Sequence, residues 1–547
     1  MEKRFKVATP FIIGVLLGTV PMWSGGAFAE SSGFVGINVE EIRLANGFRV
    51  LVVEDHRVPR VAASLWYRLG AIRELSGEHG STHFLEHVVH QGTTTVGTRN
   101  FEAEKPILRE IHETEQKLVE VWNRERNRLR ERNVFYDGLD WPTTPEMDSL
   151  RQRLYELEDQ DSQYREFWAE YNWYRRYGAI AHADPVPATT WKEYLEIDID
   201  LPKEAIELLF RLEADRMVNA VLRGWEAQRF TVLEQILNRH VRPETGRFSE
   251  AIDGVTGLAH PAYNSAAGHF RDFAYYNRAS MLGVYDDYFV PNNATLALVG
   301  DIAPGEARTL AERYFGQLAR GAESPALMDV EAEPVPGGAV RLDWLEPMDP
   351  RVILRYRVPG VGHPERPVFD TIAALTRGRH GLFAASLAGK AGAPANVDFQ
   401  AVPTRLGSAN VIDFIAKARR DEDLPGLEET LLAVVDDLQK KRIDSKALER
   451  ARKALRLEWD RTRSERRRLA KALGQFQVMD SWETLQTFME ARLSASVEDI
   501  QRAARRYFVP SNRVIVIARE RPLSHERPGS RATTSMASMA SMEGNEP

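Results

Sequence analysis

The chain has 547 residues, 43% hydrophobic and 28% charged, the balance of a globular protein and more chain than one core supports, so at least two domains are expected. A net charge of -7 offers nucleic acid no electrostatic attraction. With no cysteine, disulfides and thiolate metal sites are excluded, leaving His and carboxylate as the strong donors for a metal such as zinc.

The first residues give a basic start at Lys3, Arg4 and Lys6, an apolar run from Val7 to Val20, and Ala27-Phe28-Ala29 ahead of Glu30. That is the layout of a secretory signal with a small-residue cleavage site, and the apolar run is short for a bilayer span. Residues 1–29 are therefore expected to be a signal peptide, with a mature chain from Glu30 that resides in a periplasm. No later stretch holds 18 uninterrupted apolar residues, so no stable membrane span is expected after cleavage.

Leu44-Ala-Asn-Gly47 places an Asn-Gly turn before a β-rich run ending at Val53, and a second strand is expected from Val61 to Arg68. The two read as a hairpin leading into Ser81-Thr-His-Phe-Leu-Glu-His-Val-Val-His90. At 100° per residue His83, Glu86, His87 and His90 share an arc of about 100°, while Phe84, Leu85, Val88 and Val89 take the other side. One face suits a core and the other suits chemistry. Ser81 or Thr82 is expected to cap this helix and Gly92 to end it. His83 and His87, one turn apart, can reach one metal ion from the same side, with Glu86 between them. His79 and His90 read as surface or supporting histidines.

His83-x-x-Glu86-His87 is the inverted form of the HExxH motif. Set in His-Phe-Leu-Glu-His, it resembles the pitrilysin/insulinase group of zinc peptidases, the M16 family, which includes the mitochondrial processing peptidases. The resemblance implies one Zn2+ per chain, bound by His83 and His87, with Glu86 as general base on zinc-bound water. It also implies a third ligand, a Glu on a downstream helix within a stretch similar to ERxVVxEE. The matching stretch is Gln228-Arg-Phe-Thr-Val-Leu-Glu-Gln235. Aligned from its left end, the ligand position holds Gln235; aligned from Pro243-Glu-Thr-Gly246 on its right, it holds Glu234. Helical phase leaves both open, because they flank the stripe Trp225, Phe230, Val232, Leu233, Ile236 and Leu237. Glu234 is the expected ligand, since an amide is a poor zinc donor beside a carboxylate.

A second departure precedes a strand expected from Tyr194 to Asp200. Family members resemble Asn-Ala-x-Thr there, an edge that pairs with substrate backbone. This chain has Pro187-Ala-Thr-Thr190, and proline can neither donate a backbone hydrogen bond nor offer the Asn amide.

Between motif and strand, Phe101 to about Tyr177 is charged and helical, broken by turn chemistry from Phe135 to Pro145. Met147, Leu150, Leu154, Leu157, Tyr164, Phe167, Tyr171 and Tyr174 recur at three- and four-residue spacing, a helix-packing seam. An antiparallel helical hairpin inserted over 101–180 is expected. Helices should then follow from Lys203 to Val218 and from Trp225 to Arg239.

Tyr288-Phe-Val-Pro-Asn-Asn293 returns as Tyr507-Phe-Val-Pro-Ser-Asn512, offset by 219 residues, and Pro59-Arg-Val61 returns as Pro350-Arg-Val352, offset by 291. Two related halves follow, the first longer by 72 residues, near the length of the insertion. They are expected at 30–323 and 339–521, joined by a Pro/Gly-rich linker at 324–338, with a tail at 522–547 too poor in core-forming residues to fold. The second half should carry strands at 340–358 and 410–416 and long helices across 425–475, without an HxxEH motif. The fold expected is α+β: two homologous α/β sandwiches, mainly antiparallel sheets covered by helices, forming a two-lobed clamshell around a peptide. The implied function is a zinc metalloendopeptidase acting on peptides or small unfolded proteins in the periplasm, alone, as a homodimer, or as a heterodimer with another M16-like chain. The alternative is a catalytically inactive partner subunit of another peptidase chain.

Overall fold

The computed structural model describes residues 36–520 apart from 76, 133–142, 167–187, 242–245, 258–264, 270–271, 273–275, 325–338, 389–396, 405, 408 and 442. The signal peptide, Pro187, nearly all of the linker, the distal part of the insertion and the tail therefore lie outside the described residues. No described helix is long and apolar enough to cross a membrane.

β1 (Glu40–Arg43) and β2 (Arg49–Glu54) pair antiparallel around the Asn-Gly turn, where Gly47 takes a φ of 95° that a side chain would resist. The hairpin expected between β2 and β3 (Arg60–Tyr67) is not formed. Instead β6 (Ala294–Gly300) lies between them, parallel to β2 and antiparallel to β3. Every residue of β6 is buried, as a strand covered on both faces requires. β1, too short and charged to announce itself in sequence, takes the hairpin partnership. β5 (Leu195–Pro202) and β4 (Ala188–Thr190) complete the order β1-β2-β6-β3-β5-β4.

The second sheet contains β7 (Val340–Glu346), β8 (Arg351–Pro359), β9 (Asp398–Pro403), β10 (Ala409–Lys417) and β11 (Arg513–Glu520), in the order β7-β11-β8-β10-β9. With β1 set aside, both sheets have one parallel pair (β2 with β6, β7 with β11) followed by antiparallel neighbours. The repeated sequence does the same work twice. Asn293 Nδ2 donates to the Tyr288 carbonyl at 2.9 Å, and Asn512 Nδ2 donates to the Tyr507 carbonyl at 2.8 Å, each fixing the entry into the strand that follows.

Each half lends a helix to the other. The Arg466–Met479 helix packs on β3, β5 and β6 of the first sheet, held by Arg467 on Asp198 (2.7 Å), Arg466 on Asp200 (3.5 Å) and Lys471 on Glu196. The Arg247–Gly257 helix packs on β7 and β11 of the second sheet, placing Phe248 and Ile252 among Ile353, Val514, Val516 and Ala518, with Asp253 on Arg355 at 2.6 Å. Gly474 is the closest approach, since a Cβ there would overlap the buried Trp66 indole. Gly474→Ala should therefore destabilise the chain by about 2–3 kcal/mol, because the indole is hemmed in by the sheet beneath it. An unchanged denaturant midpoint would show that the helix can shift away.

The insertion is a pair of helices, Phe101–Glu131 and Pro145–Ser162, capped by Asn100 and Thr144 and joined along Ile111, Leu154 and Leu157. Its root is buried. Glu104 pairs with Arg223 at 2.5 Å, both 1% exposed or less, and Glu115 pairs with Arg278 at 2.9 Å. Arg223 also donates to the Thr93 carbonyl at 2.9 Å.

Candidate active site

The motif helix spans Ser81–Val89 with Phe84, Leu85, Val88 and Val89 buried, the face its apolar residues predict. Its cap differs from expectation. The helix starts from Gly80 at φ 99°, without a side-chain cap from Ser81 or Thr82. Glu74 supplies it, accepting from the Gly80 and Thr82 amides at 2.7 and 2.9 Å, a carboxylate at the positive end of the helix dipole. Gly80 has no room for a side chain, because a Cβ would lie 2.6 Å from Gly268 Cα and 2.7 Å from the Tyr276 hydroxyl.

Burial pushes the Glu74 carboxyl up to about 7. A carboxyl whose folded pKa exceeds its unfolded value leaves the native chain holding more protons across pH 4.5–7, so this group's contribution to stability falls as pH rises through that window. The stability difference between wild type and Glu74→Gln should therefore vary with pH between 4.5 and 7 and level off above it. A pH-independent difference in denaturant titrations would refute this.

The two motif imidazoles stand with ring centroids 5.1 Å apart and planes at 77°. His83 Nδ1 donates to the Ala267 carbonyl at 3.3 Å, and His87 Nδ1 donates to Gln228 Oε1 at 3.1 Å. With Nδ1 engaged, each Nε2 is left as a lone-pair donor, the arrangement that outer partners impose on metal-binding histidines. Burial, helped by the neighbouring His87, holds the His83 imidazole down to about 4, so it is neutral at neutral pH. Glu86 is buried, and burial raises its carboxyl above the ordinary value despite His87 and the Thr190 hydroxyl, which donates to Glu86 Oε2 at 2.6 Å. Thr190 ends β4, so the edge strand touches the motif glutamate directly.

The third position turns on helix phase. Glu234 and Gln235, on the Trp225–Val241 helix, are both exposed, and Gln235 lies two turns beyond the Gln228 that bonds His87, on the helix face turned toward the motif. Among the described residues no group of three or more His, Cys, Asp and Glu side chains could hold a metal. The structure brings His83, Glu86 and His87 together on one short helix. The phase of the Trp225–Val241 helix is set by burial: Val232 and Ile236 are buried while Phe230 and Leu237 are 73% and 44% exposed, so the true apolar stripe is narrower than the sequence suggested and rotates Gln228 and Gln235 toward the motif helix. His79 and His90 keep supporting roles. The His79 carbonyl accepts from the Tyr276 hydroxyl, and His90 Nδ1 donates to the Glu86 carbonyl at 2.5 Å. Sequence reasoning missed Gln228, Thr190 and Glu74. The first two sit at marked positions of the two family-like stretches, whereas nothing in the sequence signals Glu74.

Residues 275–455 match the description "Peptidase M16 inactive domain". The solved structure of a protease from Helicobacter pylori superposes with a TM-score of 0.65 at 17% identity, covering 88% of this chain and all of that one. The first half of the periplasmic protease PqqL from Escherichia coli superposes at 0.61 and 16%, covering 88% of this chain and 92% of that one. The chain is thus similar to the M16 inactive domain over part of its length and shares the fold of these proteases. Among curated proteins, the zinc protease PqqE of Helicobacter pylori is 21% identical over 259 residues, 46% of this chain and 56% of that protein. The chain therefore matches little more than half the length of that curated relative. Similarity to M16 proteases and an α+β fold of two helix-covered sheets are what these likenesses show.

Proposed function

We propose that this chain is an M16-type peptide-holding subunit that is not a self-sufficient peptidase, and that it acts with a second M16-like chain in the periplasm. The observation that carries the reading is the Gln228 side chain on His87, which puts Gln235, two turns on, rather than Glu234 on the helix face toward the histidines. Catalytic zinc takes three protein ligands, in sets such as three histidines, two histidines with a glutamate, or two cysteines with a histidine. His83 and His87 fit such a set; the third position offers an amide, and Gln228 at His87 is a second amide where the family-like pattern begins with Glu. The residues present therefore do not fit tightly bound Zn2+, and no catalytic step is assigned to one. What the site can do is hold an extended peptide beside β4, whose Thr190 already contacts Glu86. The periplasmic setting is supported by the basic, apolar and small-residue order of the first 29 residues and by the location of the Escherichia coli relative.

The second reading, a self-sufficient zinc metalloendopeptidase with ligands His83, His87 and Glu234 and with Glu86 as base, is favoured by the two oriented imidazoles and the Thr190-held Glu86. Metal analysis together with turnover of an unstructured peptide by the purified chain alone separates the two. Substoichiometric zinc and no cleavage are expected. Near one zinc per chain with cleavage would overturn the proposal.

A further inference from the structure

The turn between β4 and β5 is gripped from two sides. Within it the Trp191 amide donates to the Tyr194 carbonyl at 2.8 Å and closes the hairpin. On one side Gly70 lies so close that a Cβ would come within 2.5–2.7 Å of the Trp191 and Lys192 carbonyl oxygens and the Glu193 nitrogen. The Ala71 and Ile72 amides donate to those two carbonyls at 3.2 and 2.8 Å, and the chain runs on from there to Glu74, the cap of the motif helix. On the other side Lys192 Nζ pairs with Asp253 Oδ2 at 3.1 Å, while Asp253 Oδ1 takes Arg355 of β8 at 2.6 Å. Arg355 in turn holds Asp413 of β10 at 2.7 Å. Glu193, buried at 4% exposure, accepts from the Gly407 amide, between β9 and β10, at 2.6 Å. Gly407 is itself backed by the Met479 carbonyl, which a Cβ there would overlap. β4, by contrast, is three residues long and stands last in its sheet, paired with β5 and touching Glu86 through Thr190. An edge strand that short takes its place from the turn that ends it.

We propose that this turn is a clasp through which the second sheet sets the peptide-holding edge, with Lys192 and Glu193 as positioning residues for peptide binding at β4. The inference rests on the reading that β4 holds an extended peptide. An edge already fixed at its end spares the incoming peptide the entropy of ordering it. Thr190, next to the turn, stays on Glu86 for the same reason. The second half thus contributes to peptide binding without touching the peptide.

Hydrogen exchange in the full chain, together with fluorescence anisotropy of a labelled Ala/Ser/Leu decapeptide, tests it. Lys192→Met removes one tether while leaving Asp253 on Arg355, and Glu193→Ala releases Gly407. Either change should speed exchange over 188–195 about tenfold and weaken the decapeptide about tenfold, with exchange in the Ala409–Lys417 strand unchanged. Lys192→Arg, which keeps the charge, and Glu193→Gln, which keeps an acceptor, should restore both. Wild-type exchange over 188–195 in Lys192→Met and Glu193→Ala, quickened exchange without loss of affinity, or quickening shared by Ala409–Lys417 overturns the proposal. A wild-type chain that binds no decapeptide rejects the peptide-holding reading beneath it, and with it the role in binding. Quickened exchange confined to 188–195 in the variants would still show the clasp.

Discussion

Gln235→Glu is expected to raise zinc affinity about 100-fold or more. Loss of an outer partner of a metal ligand typically changes affinity about 10–100-fold, and a direct ligand should reach at least the top of that range. The substitution adds a carboxylate on the helix face that Gln228 turns toward the histidines, near an imidazole whose Nδ1 is held by the Ala267 carbonyl. Adding Gln228→Glu should tighten binding again by strengthening the acceptor behind His87. Competition against a chromophoric chelator measures both. If Glu86 and its Thr190 contact are otherwise competent, the restored chain should gain peptide cleavage, and a further Glu86→Gln should abolish cleavage while keeping zinc, because it removes a base and not a ligand. Zinc affinity unmoved by Gln235→Glu would mean that position 235 is not the third position at all.

Glu104→Ala should destabilise the chain by about 3–5 kcal/mol, the cost of leaving a buried guanidinium without its counter-ion. The Arg223 side chain is 1% exposed and its one carboxylate partner among the described residues is Glu104, so water cannot compensate. Pairing the change with Arg223→Met should recover much of the loss, since the unpaired charge goes with its partner. By sequence the insertion looks dispensable, because the second half manages the same topology without it. The ion pairs to Arg223 and Arg278 argue otherwise. Excising 101–162 should therefore lower the unfolding midpoint in guanidinium chloride unless both arginines are also replaced. A midpoint unchanged by Glu104→Ala would show that the root of the hairpin is wetter than its burial implies.

The motif helix was legible because its two faces are chemically distinct over nine residues, and the repeat because Tyr-Phe-Val-Pro-x-Asn recurs with its final Asn making the same hydrogen bond twice. The β2–β3 pairing was misjudged because adjacency in sequence favours a hairpin, while β6, far downstream in the chain, wins on burial. β1 and β4 were invisible because strands of four and three residues leave no alternation to read. The third position is the hardest to read from sequence. Glu234 and Gln235 differ by one residue, about 100° of helix, and which one faces the histidines depends on whether Phe230 and Leu237 are buried. Both are exposed, and no local pattern distinguishes an exposed Phe from a buried one. The cap from Glu74 depends on its carboxyl reaching the Gly80 and Thr82 amides, which propensity does not encode.

The exchange of covering helices also sets the order in which this chain can fold. β6 completes the first sheet at Gly300, yet the helix that covers β3 and β6 begins only at Arg466. During synthesis at roughly 5–20 residues per second, that face waits on the order of ten seconds or more for its cover to be made. Trp66 and its neighbours stay bare for that interval, and closure must then join segments about 400 residues apart, the kind of non-local contact that slows folding. The first half made alone would leave Trp66 uncovered beside the acidic row Glu196, Asp198 and Asp200, and supplying the second half in trans would cover them.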